Sequence, residues 1–385
     1  MLKKIFSGAT TLFIIILAVF LLWLSAFDGL DVIEEKNSVP EKPQGTASGF
    51  YYENLGDTEK IAYELIVENI ENMPSRIRVP YLDDEGLSKV FEALLYDNPQ
   101  YFFLSDNCKA ETTAFGKSYF VPQYIMSASE YVQKFQELEK IREIVEIKTD
   151  RISDKSKKEQ IIHDYIVDKC TYVDIAGGEC SSVYGCLVNG KASCEGYAKS
   201  MKYLLDDVGI KNYLATGTTE SGDGTPQGHA WNIVEIDGKY YHVDATWDDP
   251  DENEVENKYA YFNVTDEEIS VTHDAEKRFL GKCDATEHNY YVENGLYFSE
   301  YDKNMSDVIT SELVKQANLK KDVISFKMSD EKVLKKAETE LFEMNGIYSI
   351  LMNAGILSDN VLSEDSISYA IDDKHNIIVI TDFIE

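Results

Sequence analysis

Ser193-Cys194-Glu195-Gly196, Gly228-His229-Ala230-Trp231-Asn232 and Val243-Asp244-Ala245-Thr246-Trp247-Asp248 set a thiol, an imidazole and a carboxylate within 51 residues of one another. Their chain order is the one a thiolate acyl-transfer site needs. Ser193 is a capping residue type, and Tyr197, Met201, Leu204, Leu205 and Val208 recur at helical spacing. This predicts Cys194 in the first turn of a helix that Gly209 ends. The unpaired N–H groups and positive dipole end at such a position favour a thiolate and can donate to an oxyanion.

His229 opens the run His229-Ala230-Trp231-Asn232-Ile233-Val234-Glu235-Ile236, which Asp237-Gly238 separates from Tyr240-Tyr241-His242-Val243-Asp244. Asp-Gly between two apolar runs is the strongest short hairpin signal. With those two residues as the turn, Ile236 faces Lys239. Counting outward then sets Trp231 opposite Asp244 and His229 opposite Thr246. His229 and Asp244 become diagonal neighbours on one face, about 7–8 Å apart and within side-chain reach. A one-residue bulge would put them on opposite faces. In the unbulged register Asp244 accepts from one imidazole nitrogen while the other faces Cys194.

Each of these residues also has a plainer use. A cysteine on an amphipathic helix is more often a small buried hydrophobe, and a strand His or Asp is usually at a surface or turn. The conjunction carries the catalytic reading. His242 shares the Asp244 face and is the main rival to His229, but its neighbour across the hairpin is Ile233, deeper toward the turn. Asp248 has the parity of Asp244 and is the reserve orienter. Trp231 and Trp247, two of only three tryptophans, flank the pair, where an indole either shields the imidazole–carboxylate bond from water or fills the hairpin core. Tyr184, ten residues before the thiol, is a candidate oxyanion donor. His163, His273, His288 and His375 have no partner that can be named from sequence.

Gly190-Lys191-Ala192-Ser193-Cys194-Glu195-Gly196-Tyr197-Ala198-Lys199, Gly228-His229-Ala230-Trp231-Asn232 and Tyr241-His242-Val243-Asp244-Ala245-Thr246-Trp247-Asp248-Asp249-Pro250 resemble the three core motifs of transglutaminase-like proteins. More narrowly, the chain is similar to the bacterial, membrane-anchored, extracytoplasmic members of that superfamily. His163-Asp164-Tyr165-Ile166-Val167 and Tyr261-Phe262-Asn263-Val264-Thr265 are similar to the same subgroup. The resemblance is close over about 150–290, looser over 48–150 and weakest in the last hundred residues. It implies a papain-like α+β core with Cys194 as nucleophile, His229 as acid/base and Asp244 as the residue that orients the imidazole. It leaves the reaction open, because the superfamily includes cross-linking acyltransferases, peptidases, amidases and members with no demonstrated catalysis.

Lys3 and Lys4 precede an uncharged run from Ile5 to Phe27, 23 residues long, which as a helix spans roughly 34 Å against a hydrocarbon core of about 30 Å. Leu24-Ser25-Ala26 is a poor cleavage site and no Cys follows the run as a lipid anchor would require, so a retained single-pass anchor is expected over 1–27. Lysines before it and Asp28, Asp31, Glu34 and Glu35 after it predict a cytoplasmic N-terminus with the bulk of the chain extracytoplasmic. The 37 basic and 69 acidic residues give a net charge of −32. Such a surface repels phosphate backbones, so nucleic-acid binding is excluded, while a solvated acidic surface is the ordinary reading. Cys108, Cys170, Cys180, Cys186, Cys194 and Cys283 form no CxxC pair and no zinc framework. One pairing among Cys170, Cys180 and Cys186 is open outside the cytoplasm. Neither a cofactor nor a resident metal is called for.

Residues 28–48 read as a tether, 49–150 as a mostly helical N-terminal region, 151–290 as the catalytic core and 291–385 as a small α+β accessory module. Helices are expected over Asp57–Met73, Leu87–Leu95, from a Ser127/Glu130 capping box onward with Tyr131, Phe135, Leu138, Ile141 and Val145 inward, and over Asp154–Cys170. Strands are expected at Tyr101–Leu104 and Tyr119–Ile125, and a hairpin around Asn294-Gly295. In the last module helices are expected at 306–319 and 330–344, a strand at Val323–Lys327 and a closing pair at Ser366–Ile371 and Asn376–Thr381. Asp249, Asp251 and Asn253 alternate as in a calcium loop, but Glu254 stands where Gly is needed and no closing Glu is evident, so a solvated acidic loop is expected.

Three functional readings follow. The first is a cell-envelope thiol enzyme acting on amide or peptide bonds through a thioester, as peptidase, amidase or acyltransferase, with a peptide or protein substrate. The second is a catalytically silent surface scaffold that keeps the fold for binding. The third is a calcium-dependent transglutaminase proper, for which chelator-sensitive amine incorporation is the discriminating result.

Overall fold

The computed structural model describes residues 49–384 apart from 115, 221–223, 250–256, 277–280, 359, 361 and 363–365. The expected anchor, the tether and the Asp251/Asn253/Glu254 part of the acidic loop lie outside the described residues. Among the described residues no helix is long and apolar enough to cross a membrane. The chain divides into two compact units, 1–132 and 133–385.

In the first unit α1 (Phe50–Glu53), α2 (Asp57–Ile70), β1 (Ile77–Val79), α3 (Asp84–Asp97), β2 (Leu104–Thr112) and β3 (Ser118–Tyr124) follow in order, and the strands form an antiparallel sheet, β1-β3-β2. Helical spacing of Ala62, Ile66 and Ile70 gives α2 its buried face. α3 begins before the expected Leu87 because Asp83 caps it, accepting from Gly86 N at 2.8 Å. Tyr101–Leu104 is not the expected strand. Tyr101, Phe102 and Phe103 make a buried turn closed by Leu104 N to Tyr101 O at 2.9 Å, and β2 starts only at Leu104. Three consecutive buried rings fill a core from an irregular backbone rather than alternating across a sheet.

α4 (Ala128–Thr149) begins before the division point and runs past it, with Glu130 N donating to Ser127 Oγ at 3.3 Å. In the second unit α5 (Lys155–Val167), capped by Asp154, buries Ile162 and Ile166. β4 (Thr171–Tyr172), α6 (Val183–Leu187) and β5 (Lys191–Ala192) lead into α7 (Cys194–Asp207), which buries Tyr197, Ala198, Met201, Leu204 and Leu205. Gly209, at φ +73°, turns the chain out of α7 into β6 (Asn212–Glu220), as a left-handed exit requires. β7 (Pro226–Ile236) and β8 (Lys239–Val243) follow, then α8 (Asp266–Ile269) and β9 (His273–Ala275). These strands form an antiparallel sheet, β8-β7-β6-β9, against which α7 packs. The arrangement is a mixed α+β fold.

The Asp237-Gly238 turn sets the predicted register. Ile236 pairs with Lys239, Ile233 with His242 and Asn232 with Val243, with no bulge. β8 ends at Val243, however, so Asp244 stands just past the ladder and Thr246 lies in a turn rather than opposite His229. His229 pairs on its other side, with Gly217 of β6.

The last module comprises α9 (Tyr290–Glu293), β10 (Tyr297–Phe298), α10 (Lys303–Asn318), β11 (Val323–Met328), α11 (Glu331–Glu338), α12 (Gly346–Leu357), β12 (Ser368–Asp372) and β13 (Ile377–Thr381). Its sheet runs β10-β11-β13-β12, antiparallel except for the β10–β11 edge. The hairpin expected around Asn294-Gly295 does not form. Asn289 caps α9 through Tyr291 N at 3.1 Å, and the chain then leaves through Gly295 to pair with β11 instead. No helix is expected from Gly346-Ile347-Tyr348-Ser349-Ile350-Leu351-Met352, which is apolar on both faces and so masks the helical spacing of Ile347, Ile350, Leu351 and Ala354. Ile347, Ile350 and Leu351 are buried while Tyr348 and Met352 are exposed.

Candidate active site

Cys194 is the first residue of α7 and half-buried. Ser193 holds the cap position, but its hydroxyl is spent elsewhere, on Ser181 Oγ at 3.1 Å and Cys180 O at 3.4 Å. No side-chain cap bond forms, so Ser193 leaves the first-turn N–H groups of α7 unclaimed. Gly196 permits this packing. A Cβ there would stand 2.6 Å from Cys180 O and 2.7 Å from Ala192 Cβ.

His229, near the start of β7, reaches Asp244 from the last residues before the turn. Its Nε2 lies 2.6 Å from Asp244 Oδ2, and Cys194 lies close enough to the ring to favour its charged form, with Nδ1 the nitrogen not taken by Asp244. The chain thus brings Cys194, His229 and Asp244 together. Burial works against charge on His229, but Asp244 and then Cys194 outweigh it and push its pKa up to about 10. Burial likewise works against charge on Asp244, yet His229 and His273 hold its carboxyl well below the usual carboxylate range. Asp244 Oδ1 takes Thr246 N at 2.9 Å and Trp247 N at 3.3 Å. His229 stacks on Trp231 at 5.9 Å between centroids, with Trp247 edge-on at 6.0 Å, so both indoles do line the imidazole. Trp231 is buried and Trp247 packs partly buried on the module core, so the filling role holds as well.

The rivals are engaged elsewhere. His242 Nδ1 accepts from Trp231 Nε1 at 2.9 Å and its Nε2 meets Asp266 Oδ1 at 2.9 Å. Burial lowers its pKa despite Asp266, and it sits neutral beneath the site. Asp248, the reserve orienter, instead bonds His163 Nε2 at 3.1 Å and Tyr261 N at 2.9 Å. Burial opposes charge on His163, but Asp164 and Asp248 push its pKa up to about 9. Asp249 accepts from Tyr197 of α7. Successive carboxylates of the turn therefore tie the Asp244 segment to α5, α7 and the sheet. Tyr184, the candidate oxyanion donor, gives its hydroxyl to Glu137 at 2.6 Å. All six cysteines are free, and Cys170 Sγ donates to Thr171 O at 3.9 Å.

Sequence reading missed His273. It enters through β9, pairing with Thr219 of β6, and its Nε2 lies 2.9 Å from the same Asp244 Oδ2 that His229 contacts. No local pattern announces it, since the partner is 29 residues away. Two groups among the described residues bring potential metal-ligand atoms within 4.8 Å of one another: His229/Asp244/His273 and His242/Asp266/Cys283. In the first, two imidazole N–H donors on one carboxylate account for the spacing. In the second, the Trp231 N–H occupies His242 Nδ1, so neutral His242 carries its proton on Nε2 and has no lone pair there for a cation.

Residues 142–245 match the family model of the transglutaminase-like superfamily. No curated protein matches the chain. Among solved structures, a crystal structure of a TGase is similar at 15% identity and TM-score 0.27, over 48% of this chain and 54% of that one. A protein described as a proposed cysteine protease from Cytophaga hutchinsonii is similar at 12% identity and TM-score 0.25, over 36% of this chain and 61% of that one. A proposed protease from Parabacteroides distasonis is similar at 14% identity and TM-score 0.22, over 36% of this chain and 30% of that one. This chain thus spans about half the length of the TGase.

Proposed function

We propose that this protein is a thiol enzyme of the transglutaminase-like type, acting on a carboxamide or peptide bond with Cys194 as nucleophile, His229 as acid/base and Asp244 as orienter. The observation that carries the reading is the 2.6 Å contact between Asp244 and one nitrogen of His229, an imidazole whose charged form Cys194, at the start of α7, also favours. A protonated His229 supplies positive charge beside the sulfur and favours the thiolate. The thiolate adds to the carbonyl carbon, and the oxyanion meets first-turn N–H groups of α7. The C–N bond then breaks as His229 gives its proton to the departing amine, leaving a thioester. Water or an amine attacks that thioester with His229 taking the incoming proton, and Cys194 leaves as thiolate. The apolar run at 5–27 supports a substrate in the cell envelope.

The test is alkylation of the full-length chain, read by mass spectrometry at each cysteine across pH, beside Cys194→Ala and His229→Ala. Modification of Cys194 that is fast at pH 6 and collapses in His229→Ala supports the reading and directs a screen of amide and amine substrates. Equal, slow modification in wild type and His229→Ala would sink it and leave a binding scaffold as the account of the fold.

A further inference from the structure

We infer that His273 is a positioning residue for the reaction proposed above, a second imidazole that shares the Asp244 carboxylate with His229 and keeps it ionised and aimed. The inference rests on that reading. The ring of His273 is wholly buried, and burying an imidazole is costly unless its N–H is paired. That pairing is made to Asp244 Oδ2 at 2.9 Å, the oxygen that His229 Nε2 contacts at 2.6 Å. Thr272 Oγ1 sits 2.7 Å from His273 Nδ1, so the hydroxyl can donate there and leave the ring proton on Nε2, facing Asp244. With Thr246 N and Trp247 N on Oδ1, four donors converge on a fully buried carboxylate.

The consequence is geometric. With Oδ1 held by the backbone and Oδ2 by two rings, the carboxylate can neither rotate nor withdraw from His229. Trp247 at 4.8 Å, Trp231 at 5.1 Å and Tyr261 at 5.5 Å between centroids clamp the His273 ring, so its direction is set by packing. The titratable groups around it are Asp244 from the turn, His229 from β7, His242 from β8 and Tyr261. An apolar ring of the same size would fill the space and leave Oδ2 with a single partner.

The test uses His273→Phe, His273→Gln and His273→Asn in the full-length chain, with the alkylation rate of Cys194 followed across pH and His229→Ala alongside. A Gln amide nitrogen reaches the place of imidazole Nε2, whereas that of Asn reaches only the place of Nδ1. A hydrogen bond to a charged group is worth about 1.5–3 kcal/mol, so His273→Phe is expected to slow alkylation at pH 6 by roughly 10- to 100-fold. The acid limb of its profile should move to higher pH, because Asp244 with one donor fewer protonates sooner. Gln should restore most of the rate and Asn little of it. If the Phe variant does not fold, the Gln–Asn difference carries the test. Equal rates in Gln and Asn, or a wild-type profile in Phe with His229→Ala slow, would overturn the role of His273 alone. A wild-type rate in His229→Ala would overturn the reaction reading, and the inference with it.

Discussion

At Asp244 four N–H groups meet two oxygens in a site closed to solvent, so loss of this carboxylate strands four buried donors. Asp244→Ala leaves two imidazoles and two amides without an acceptor and is expected to lose about 3–5 kcal/mol, measured by urea unfolding, as removal of one partner from a buried pair does. The neighbouring histidines should separate cleanly. His242→Phe loses the Trp231 and Asp266 bonds and should lower the urea midpoint while leaving Cys194 alkylation at pH 6 within about threefold of wild type, less than one hydrogen bond to a charge is worth. A collapse comparable to His229→Ala would instead make His242 part of the machinery. The pH dependence follows from His229. Its pKa is raised in the folded state to about 10. Its contribution to stability is therefore complete below the unfolded value of about 6.5 and lost as pH rises through about 10. The stability difference between wild type and His229→Gln should shrink between pH 7 and pH 10.5, and a constant difference would contradict the ion pair.

Among the elements, β6 and the start of α7 depend on glycines at points of contact rather than at turns. Gly217 pairs with His229 on one side and Ala275 on the other, and a Cβ there would stand 2.3 Å from Asp274 O and 2.9 Å from Trp231 Cη2. Gly217 therefore lets β9 close on β6 with the indole lying over the strand, which is how His273 arrives at Asp244. Gly217→Ala is expected to cost about 1–3 kcal/mol, the usual penalty of overpacking, and to slow Cys194 alkylation as well, because Trp231 and β9 both move. An unchanged alkylation profile would show that the sheet absorbs the methyl without disturbing the site. Gly196 plays the corresponding part at α7, where the loop through Cys180 and Ser182 crosses within the radius of one methyl.

Across the second unit, the last module is continuous with the core that carries Cys194, His229 and Asp244. Ala260, Tyr261, Val264 and Ile269 share one buried cluster with Phe298, Leu313, Phe326, Ile378 and Phe383. Lys327 of β11 pairs with Glu268 at 2.5 Å, and Tyr261 packs edge-on against His375 at 4.7 Å. Tyr261 in turn faces Trp247 and His273, so the module's packing reaches the carboxylate through one aromatic layer. A chain ending at residue 290 exposes Tyr261, Val264 and Ile269, each worth about 1.5–3 kcal/mol when buried. It is expected to lose the cooperative urea transition seen through Trp231 and Trp247 fluorescence. A retained transition at the same midpoint would make the module dispensable to the core.

What the sequence by itself determined is local. A helix start at Cys194 follows from the period of Tyr197, Met201, Leu204 and Leu205, and the hairpin register follows from Asp237-Gly238 between two apolar runs. The register brings the end of β8 toward His229, and Asp244 reaches the ring from just past the ladder. The end of β8 at Val243 was out of reach, because what stops the strand is the Asp244 carboxylate accepting its own downstream amides. The assignment of histidines to carboxylates was equally out of reach. His273 meets Asp244 across 29 residues and His163 meets Asp248 across 85. Only the pairing of β9 at the edge of the sheet and the packing of α5 decide those pairs, since no period in a chain encodes which of several buried imidazoles a buried carboxylate will face.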